Sequence, residues 1–346
     1  MTTLWFILVA LMIGAYVVLD GFDLGAGILH LFVAQDDAER RTVLRAIGPV
    51  WDGNEVWLLA AGGSLFFAFP ALYAAGFSGF YLPLMIVLWL LMGRAISIEL
   101  RSRIPSPVWA SFWDGIFFVS SALLAIFYGA ALANVVRGVP LDKSGYFFEA
   151  LWTNFDPKNP TPGILDWYTI LIGLLALAAL TMHGAAYVVM KTEGAVQLRA
   201  HRWVVRAWIA TLVLTVPGTV ATFWLRSSML TRFGDQPWGV VFPLVAICGL
   251  LGVGHFAMHR SEIATFLASC AYLLGMLTAT VFAVYPDVLP AVDKPNSLTI
   301  YNASASNYGL QVGLVWWIIG MALAITYGVV IYRMFWGKVS VVAGTH

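Results

Sequence analysis

A chain of 346 residues with 60% hydrophobic and 11% charged residues, at a mean hydropathy of +0.83, falls far below the roughly 25% charge of soluble globular domains. A formal net charge of +1 argues against a nucleic-acid-binding surface, which needs a clustered basic excess. The partner of this surface is lipid.

A transmembrane helix needs about 20 predominantly apolar residues, and nine such segments follow one another: 4–32, 51–70, 75–98, 110–136, 165–190, 203–225, 238–257, 262–285 and 308–335. The first lacks the positive n-region and small-residue cleavage site of a signal peptide, so we read it as a retained span; it carries Asp20 and Asp23. Gly48-Pro49 is a helix-start signal that leaves Asp52 and Glu55 in the first turns of the second span. The second and third spans are told apart by "FPALYAAGFSG", where Pro70 and Gly76 suit a tight turn. Arg94 and Glu99 end the third span and Asp114 starts the fourth. The connections at 137–164 and 286–307 are too short and polar to fold as domains. The chain therefore reads as one all-α polytopic membrane domain, residues 1–346.

Short cytoplasmic loops hold the excess of Lys and Arg. Thirteen of the nineteen, including Arg40, Arg41, Arg45, Arg94, Arg101 and Arg103, fall on one side. Nine spans with this bias put the N-terminus outside and the C-terminus in the cytoplasm. Asp20 and Asp23 then lie about 24–29 Å along the first helix at 1.5 Å per residue, in the cytoplasmic half, and Asp52 and Glu55 reach the same leaflet from the other end. An acidic cluster in that half is the main chemical feature, and Glu99, Asp114 and Arg94 fall at similar depth.

Charges inside a bilayer are costly enough to need a reason. Asp52 and Glu55, three residues apart at a positively polarised helix end, could simply cap it; Asp20 and Asp23 have no nearby helix end, and an ion pair with Arg94 is their structural alternative. The functional reading is a proton path, because buried carboxylates with Asn, Ser or water relay protons. It is favoured for Asp20, Asp23, Asp52 and Glu55 and carries lower weight for Glu99 and Asp114.

Gly21 and Gly25, with Gly14 a heptad earlier, allow close helix approach, and the small residues and charges of the first four spans are expected to face a large membrane partner. Trp51 and Trp57 suit an interfacial aromatic belt, with a quinone contact as the minority reading. Of six histidines, only His183 is deeply placed; His30 closes the first span, His255 and His259 end the seventh, and His201 and His346 lie at the surface. Haem needs ligands facing a shared cavity, so none is assigned to this chain. Cys248 and Cys270 have no metal-ligand spacing and no metal site is expected.

"LDGFDLGAGIL" at 19–29, "GPVWDGNEVWLLAAGG" at 48–63, "YAAGFSGFYLPL" at 73–84 and "RAISIELRSR" at 94–103 resemble subunit II of the cytochrome bd-type quinol oxidases. The match is densest over residues 1–140 and rests farther on upon the span count, loop lengths and local matches such as "NASAS" at 302–306. The resemblance implies two four-helix bundles plus one additional helix, in a bacterial or archaeal cytoplasmic membrane. It implies a complex that oxidises quinol and reduces dioxygen to water, drawing protons from the cytoplasm. Haem b and haem d would belong to subunit I. This chain would be the stabilising partner, helping to supply protons, able to hold a structural quinone and accompanied in some complexes by a small single-span subunit. Asp23 and Asp52 match the family's proton-path carboxylates by motif; Asp20 and Glu55 are candidates by proximity. A proton-coupled secondary transporter is the competing class, and a purely structural membrane subunit the third.

Overall fold

Helices start where the sequence supplies caps. In the computed structural model, which describes residues 1–159 and 162–339, α1 (Thr2–Val33) is followed by α2 (Asp37–Ile47), whose N-cap Asp36 accepts from the Glu39 amide at 2.9 Å. Then come α3 (Trp51–Ala68), α4 (Pro70–Gly79), α5 (Tyr81–Leu100) and α6 (Pro107–Arg137), the last opened by Ser106 and an N1 proline. Helix α7 (Trp167–Lys191) has a full capping box between Asp166 and Thr169. After it run α8 (Gly194–Leu225), the short α9 (Ser228–Asp235), α10 (Val241–Met258) and α11 (Glu262–Val284). A small antiparallel pair, β1 (Asp287–Leu289) and β2 (Leu298–Thr299), precedes α12 (Asn307–Met334). His346 lies outside the described residues.

Among the described residues eight helices are long and apolar enough to cross a membrane singly, and α3 with α4 completes a ninth segment bent by 118°. The stretch expected as a tight turn is therefore itself a helix, and α5 starts at Tyr81 rather than 75. Pro70 explains this: its fixed φ and missing N–H suit the first position of a new helix.

Helices α1, α3, α5 and α6 form one bundle and α7, α8, α10 and α11 a second, with α12 lying against α1 and α3 as the additional helix. Helix α1 joins the bundles through α7 and α11. Its small residues do this by the close helix approach expected of them: a Cβ on Gly25 would lie 2.1 Å from the Leu180 carbonyl oxygen, and one on Gly184 would lie 2.3 Å from Gly25. The two backbones touch where neither helix has a side chain.

At the end opposite α2, Arg137 at the close of α6 donates to the N-cap Asp166 of α7, to Asn134 at 2.6 Å and to Glu149 of the connecting segment at 3.0 Å. Burial pushes Glu149 up to about 7; Arg137 opposes this and the charge of Asp166 adds to it. One guanidinium faces two carboxylates. Because the fold binds this proton more tightly than an unfolded chain whose carboxyl titrates near 4.5, the contribution is complete below about 4.5 and is lost as pH rises through about 7. The melting temperature of the purified complex is expected to fall over that window, and Glu149→Gln, neutral throughout, to flatten the fall. Identical pH profiles for the two proteins would remove Glu149 as the cause.

Candidate functional site

The stretch "WDGNE" opens α3 beside the middle of α1, and its side chains part company. Asp52 is exposed. Asn54, 1% exposed, turns to α1: its Nδ2 donates to Asp23 Oδ2 at 2.7 Å and to the Leu19 carbonyl at 3.2 Å. Tyr332 of α12 closes this set by donating to Asn54 Oδ1 at 2.8 Å. Glu55, three residues beyond Asp52, reaches Arg94 of α5, with Nη2 and Oε2 3.1 Å apart.

Arg94 is also bonded to Asp20, Nη1 donating to Oδ1 at 2.6 Å, and both side chains are completely buried while Glu55 keeps 23% exposure. Three elements thus bring one cation between two carboxylates. Asp20 Oδ2 and Asp23 Oδ1 accept no hydrogen bond among the described residues. Tyr16, one turn before Asp20, pairs with Tyr128 at 2.8 Å.

The single acidic cluster expected from depth divides into separate sets. Asp114 belongs to none of the contacts above: its Oδ1 meets His30 Nε2 at 2.6 Å and Arg101 Nε at 2.5 Å, while its Oδ2 accepts from Arg40 at 2.8 Å and Arg101 Nη2 at 3.1 Å. Four contacts use about all the acceptor capacity of a carboxylate, so Asp114 is a clamp tying together the ends of α1, α2, α5 and α6. Arg101 extends the clamp to Asp37 of α2 at 2.8 Å. Burial acts to raise the Asp37 pKa, but hydrogen bonds from Arg101 and Arg41 outweigh it and hold the carboxyl below its usual range. Glu99 is 55% exposed and faces Arg103, in the turn just past the end of α5, at 3.8 Å; it joins none of these sets.

Sequence reasoning missed Asn54, Tyr332, His30, Arg40 and Arg101 as members of these networks. Asn54 stood inside a motif already singled out and could have been found as the one neutral hydrogen-bonding residue between two acids. Tyr332, near the end of the last apolar span and far along the chain, gave no signal.

His183 engages both ring nitrogens, Nε2 with the Val18 carbonyl and Nδ1 with Ser269 Oγ, each at 2.8 Å, and stacks on Phe266. Ligating a haem iron would break one of these contacts, so the residue does not fit that group as it stands. Among the described residues no three His, Cys, Asp or Glu side chains cluster to hold a metal ion. Trp51 and Trp57 are half-buried on α3, Trp57 packing against Val9, Met12 and Ala61. A large apolar cavity of about 470 Å³ lies elsewhere, reached by α1 and α6–α11 and lined by Tyr16, Tyr128, Tyr168, Met229, Phe233 and Met276 among others.

The family model for cytochrome bd terminal oxidase subunit II matches residues 1–335. The chain is 32% identical to the cytochrome bd-I ubiquinol oxidase subunit 2 of Escherichia coli K12, covering 89% of this chain and 87% of that one. It is 30% identical to the cytochrome bd ubiquinol oxidase subunit 2 of Bacillus subtilis, covering 89% and 88%. The probable cytochrome oxidase subunit 2 of Haemophilus influenzae is 29% identical over 97% of this chain and 94% of that one. In fold, the chain is similar to a chain of the bd oxidase from Geobacillus thermodenitrificans, with a TM-score of 0.75 at 15% identity over 97% of this chain and 98% of that one. With its two bundles, its additional helix and a family match running almost from end to end, the chain belongs to the cytochrome bd terminal oxidase subunit II family, the multi-pass inner-membrane subunits of a respiratory oxidase.

Proposed function

We propose that the chain buttresses a haem-bearing subunit I and carries protons toward it from the cytoplasm through the α2 end of its first bundle. The observation that supports this most is the gradation of exposure along one short route: Asp52 exposed, Glu55 at 23%, Asp20 and Asp23 at 0%. Arg94 balances one carboxylate charge, so of Asp20 and Glu55 the second is neutral only when it carries a proton. That trio is a place to hold a proton and pass it on. Asn54 orients Asp23, whose Oδ1 remains available to a proton donor. Glu99 and Asp114 have no part in this route.

Haem b and haem d, held by subunit I, supply the redox chemistry of quinol oxidation and dioxygen reduction. The residues of this chain hold, orient and move protons. The excess of Lys and Arg at the α2 end assigns that end to the cytoplasm. Exposed apolar side chains on α3, α5 and α12, such as Leu59, Trp89 and Leu323, offer surfaces for subunit I, a small single-span subunit and lipid. A structural quinone contact at Trp51 and Trp57 remains part of the proposal. The transporter alternative is disfavoured because a transporter built of repeats needs its broken helix twice, and the α3–α4 pair is the one bent pair among the described residues.

The test is the assembled complex in liposomes, turning over quinol and dioxygen with pH reported on each side. Protons are expected to disappear from the side bearing α2. Uptake from the opposite side, or no net uptake attributable to one side, would overturn the proposal.

A further inference from the structure

We propose that Tyr332 of α12 is a positioning residue for the proton of Asp23: acting through Asn54, it confines that proton to Oδ1 and ties the additional helix to the proton route. This role rests on Asp23 carrying protons. Asn54 is 1% exposed, and its carboxamide is spent on three partners. Its Nδ2 donates to the Leu19 carbonyl at 3.2 Å and to Asp23 Oδ2 at 2.7 Å, while its Oδ1 accepts from the Tyr332 hydroxyl at 2.8 Å. A carbonyl oxygen has no hydrogen to give, so Leu19 holds the NH2 edge of the amide toward α1. The phenol of Tyr332 supplies the hydrogen that the opposite edge needs.

Asp23 therefore meets a donor at Oδ2 whichever protonation state it is in. An oxygen already receiving an amide hydrogen is the poorer seat for a proton, so the proton enters and leaves at Oδ1, which is buried and has no hydrogen-bond partner among the described residues. Without the phenol, Asn54 Oδ1 is a buried acceptor lacking its donor, which is costly. When Asp23 is protonated, the amide can then turn and accept from it. The proton is held between the two side chains and no longer presented at Oδ1. Two polar contacts bring α12 into place for this, since Trp5 Nε1 donates to the Leu310 carbonyl at 3.0 Å near the start of the helix and Tyr332 meets Asn54 near its end. Gly53, beside Asn54, admits the helix closely: a Cβ there would lie 3.2 Å from Tyr327 Cε1. A phenylalanine at position 332 fills the same space as the tyrosine, so packing alone does not call for the hydroxyl.

The experiment uses the complex with subunit I, with quinol oxidase turnover normalised to haem and measured in H2O and D2O. Tyr332→Phe is expected to assemble with its haems, to keep the wild-type KM for quinol and to lower kcat by about fivefold, the size of one net hydrogen bond. Its solvent isotope effect should exceed that of the wild type, because proton delivery now limits the rate; loss of packing would not produce that change. Asn54→Leu should lower kcat by at least as much, and Tyr332→Phe added to it should cause no further loss, because residues acting in one chain are not additive. The same comparison on an Asp23→Asn background reads the chain without Asn54→Leu, should that variant fail to accumulate. Wild-type kcat in Tyr332→Phe overturns the proposal, as does a lowered kcat with an unchanged isotope effect, or losses that multiply in the double variants. Slow turnover in Asp23→Asn beside normal turnover in Tyr332→Phe would leave Asp23 a proton carrier and remove only the role of Tyr332, whereas full turnover in Asp23→Asn would remove both.

Discussion

Asp23→Asn is expected to leave the complex assembled with its haems and to lower quinol oxidase turnover by about tenfold or more, equivalent to about 1.4 kcal/mol on the rate-limiting barrier. Asn preserves the shape and can still bond Asn54, so assembly is the control, while the carboxyl that would carry a proton is gone. Asp52→Asn should give a smaller fall. Asp52 is exposed at the first turn of α3, and Glu55 behind it retains 23% exposure, so water can deliver a proton past a neutral residue 52. Asp23 is fully buried and has no such bypass. Turnover and proton uptake from the α2 side, each normalised to haem, read the difference. Full turnover and full uptake in both assembled variants would make these carboxylates structural.

Arg94→Met should prevent the complex from accumulating. It strands Asp20, which has 0% exposure and no other cation bonded to it, and removing one partner of a buried ion pair costs about 3–5 kcal/mol. That is a large share of the roughly 5–15 kcal/mol by which folded proteins are stable. Adding Asp20→Asn removes the stranded charge, so the double variant is expected to recover haem-containing complex in membranes. Arg94→Lys should recover less than wild type, because an ammonium group lacks the planar fork that meets Asp20 and Glu55 together. Wild-type levels of the Arg94→Met complex would show that Asp20 finds its stabilisation elsewhere.

The two predictions separate roles that spacing along the chain leaves mixed. Asp20 and Asp23 are three residues apart on one helix, yet one is bonded to arginine and the other to asparagine. Asp114, placed with them by depth, is held by His30, Arg40 and Arg101. Glu99, two residues from Arg101, points away and stays exposed.

By itself the sequence determined the membrane class, the nine apolar segments, their order and the family motif around Asp23 and Asp52. Those features are local: a bilayer demands about 20 apolar residues per helix, and a cap such as Asp166 or Ser106 marks a start within one turn. What only the tertiary structure decided is which carboxylate meets which partner. Arg94 is 74 residues from Asp20, His30 is 84 from Asp114 and Tyr332 is 278 from Asn54. Such pairs depend on how each helix is rotated against its neighbours, and here that is set by close contacts such as Gly25 on Gly184. A rotation of one residue, about 100° in a helix of 3.6 residues per turn, would turn a buried carboxylate toward lipid, and no local pattern of residues records that angle.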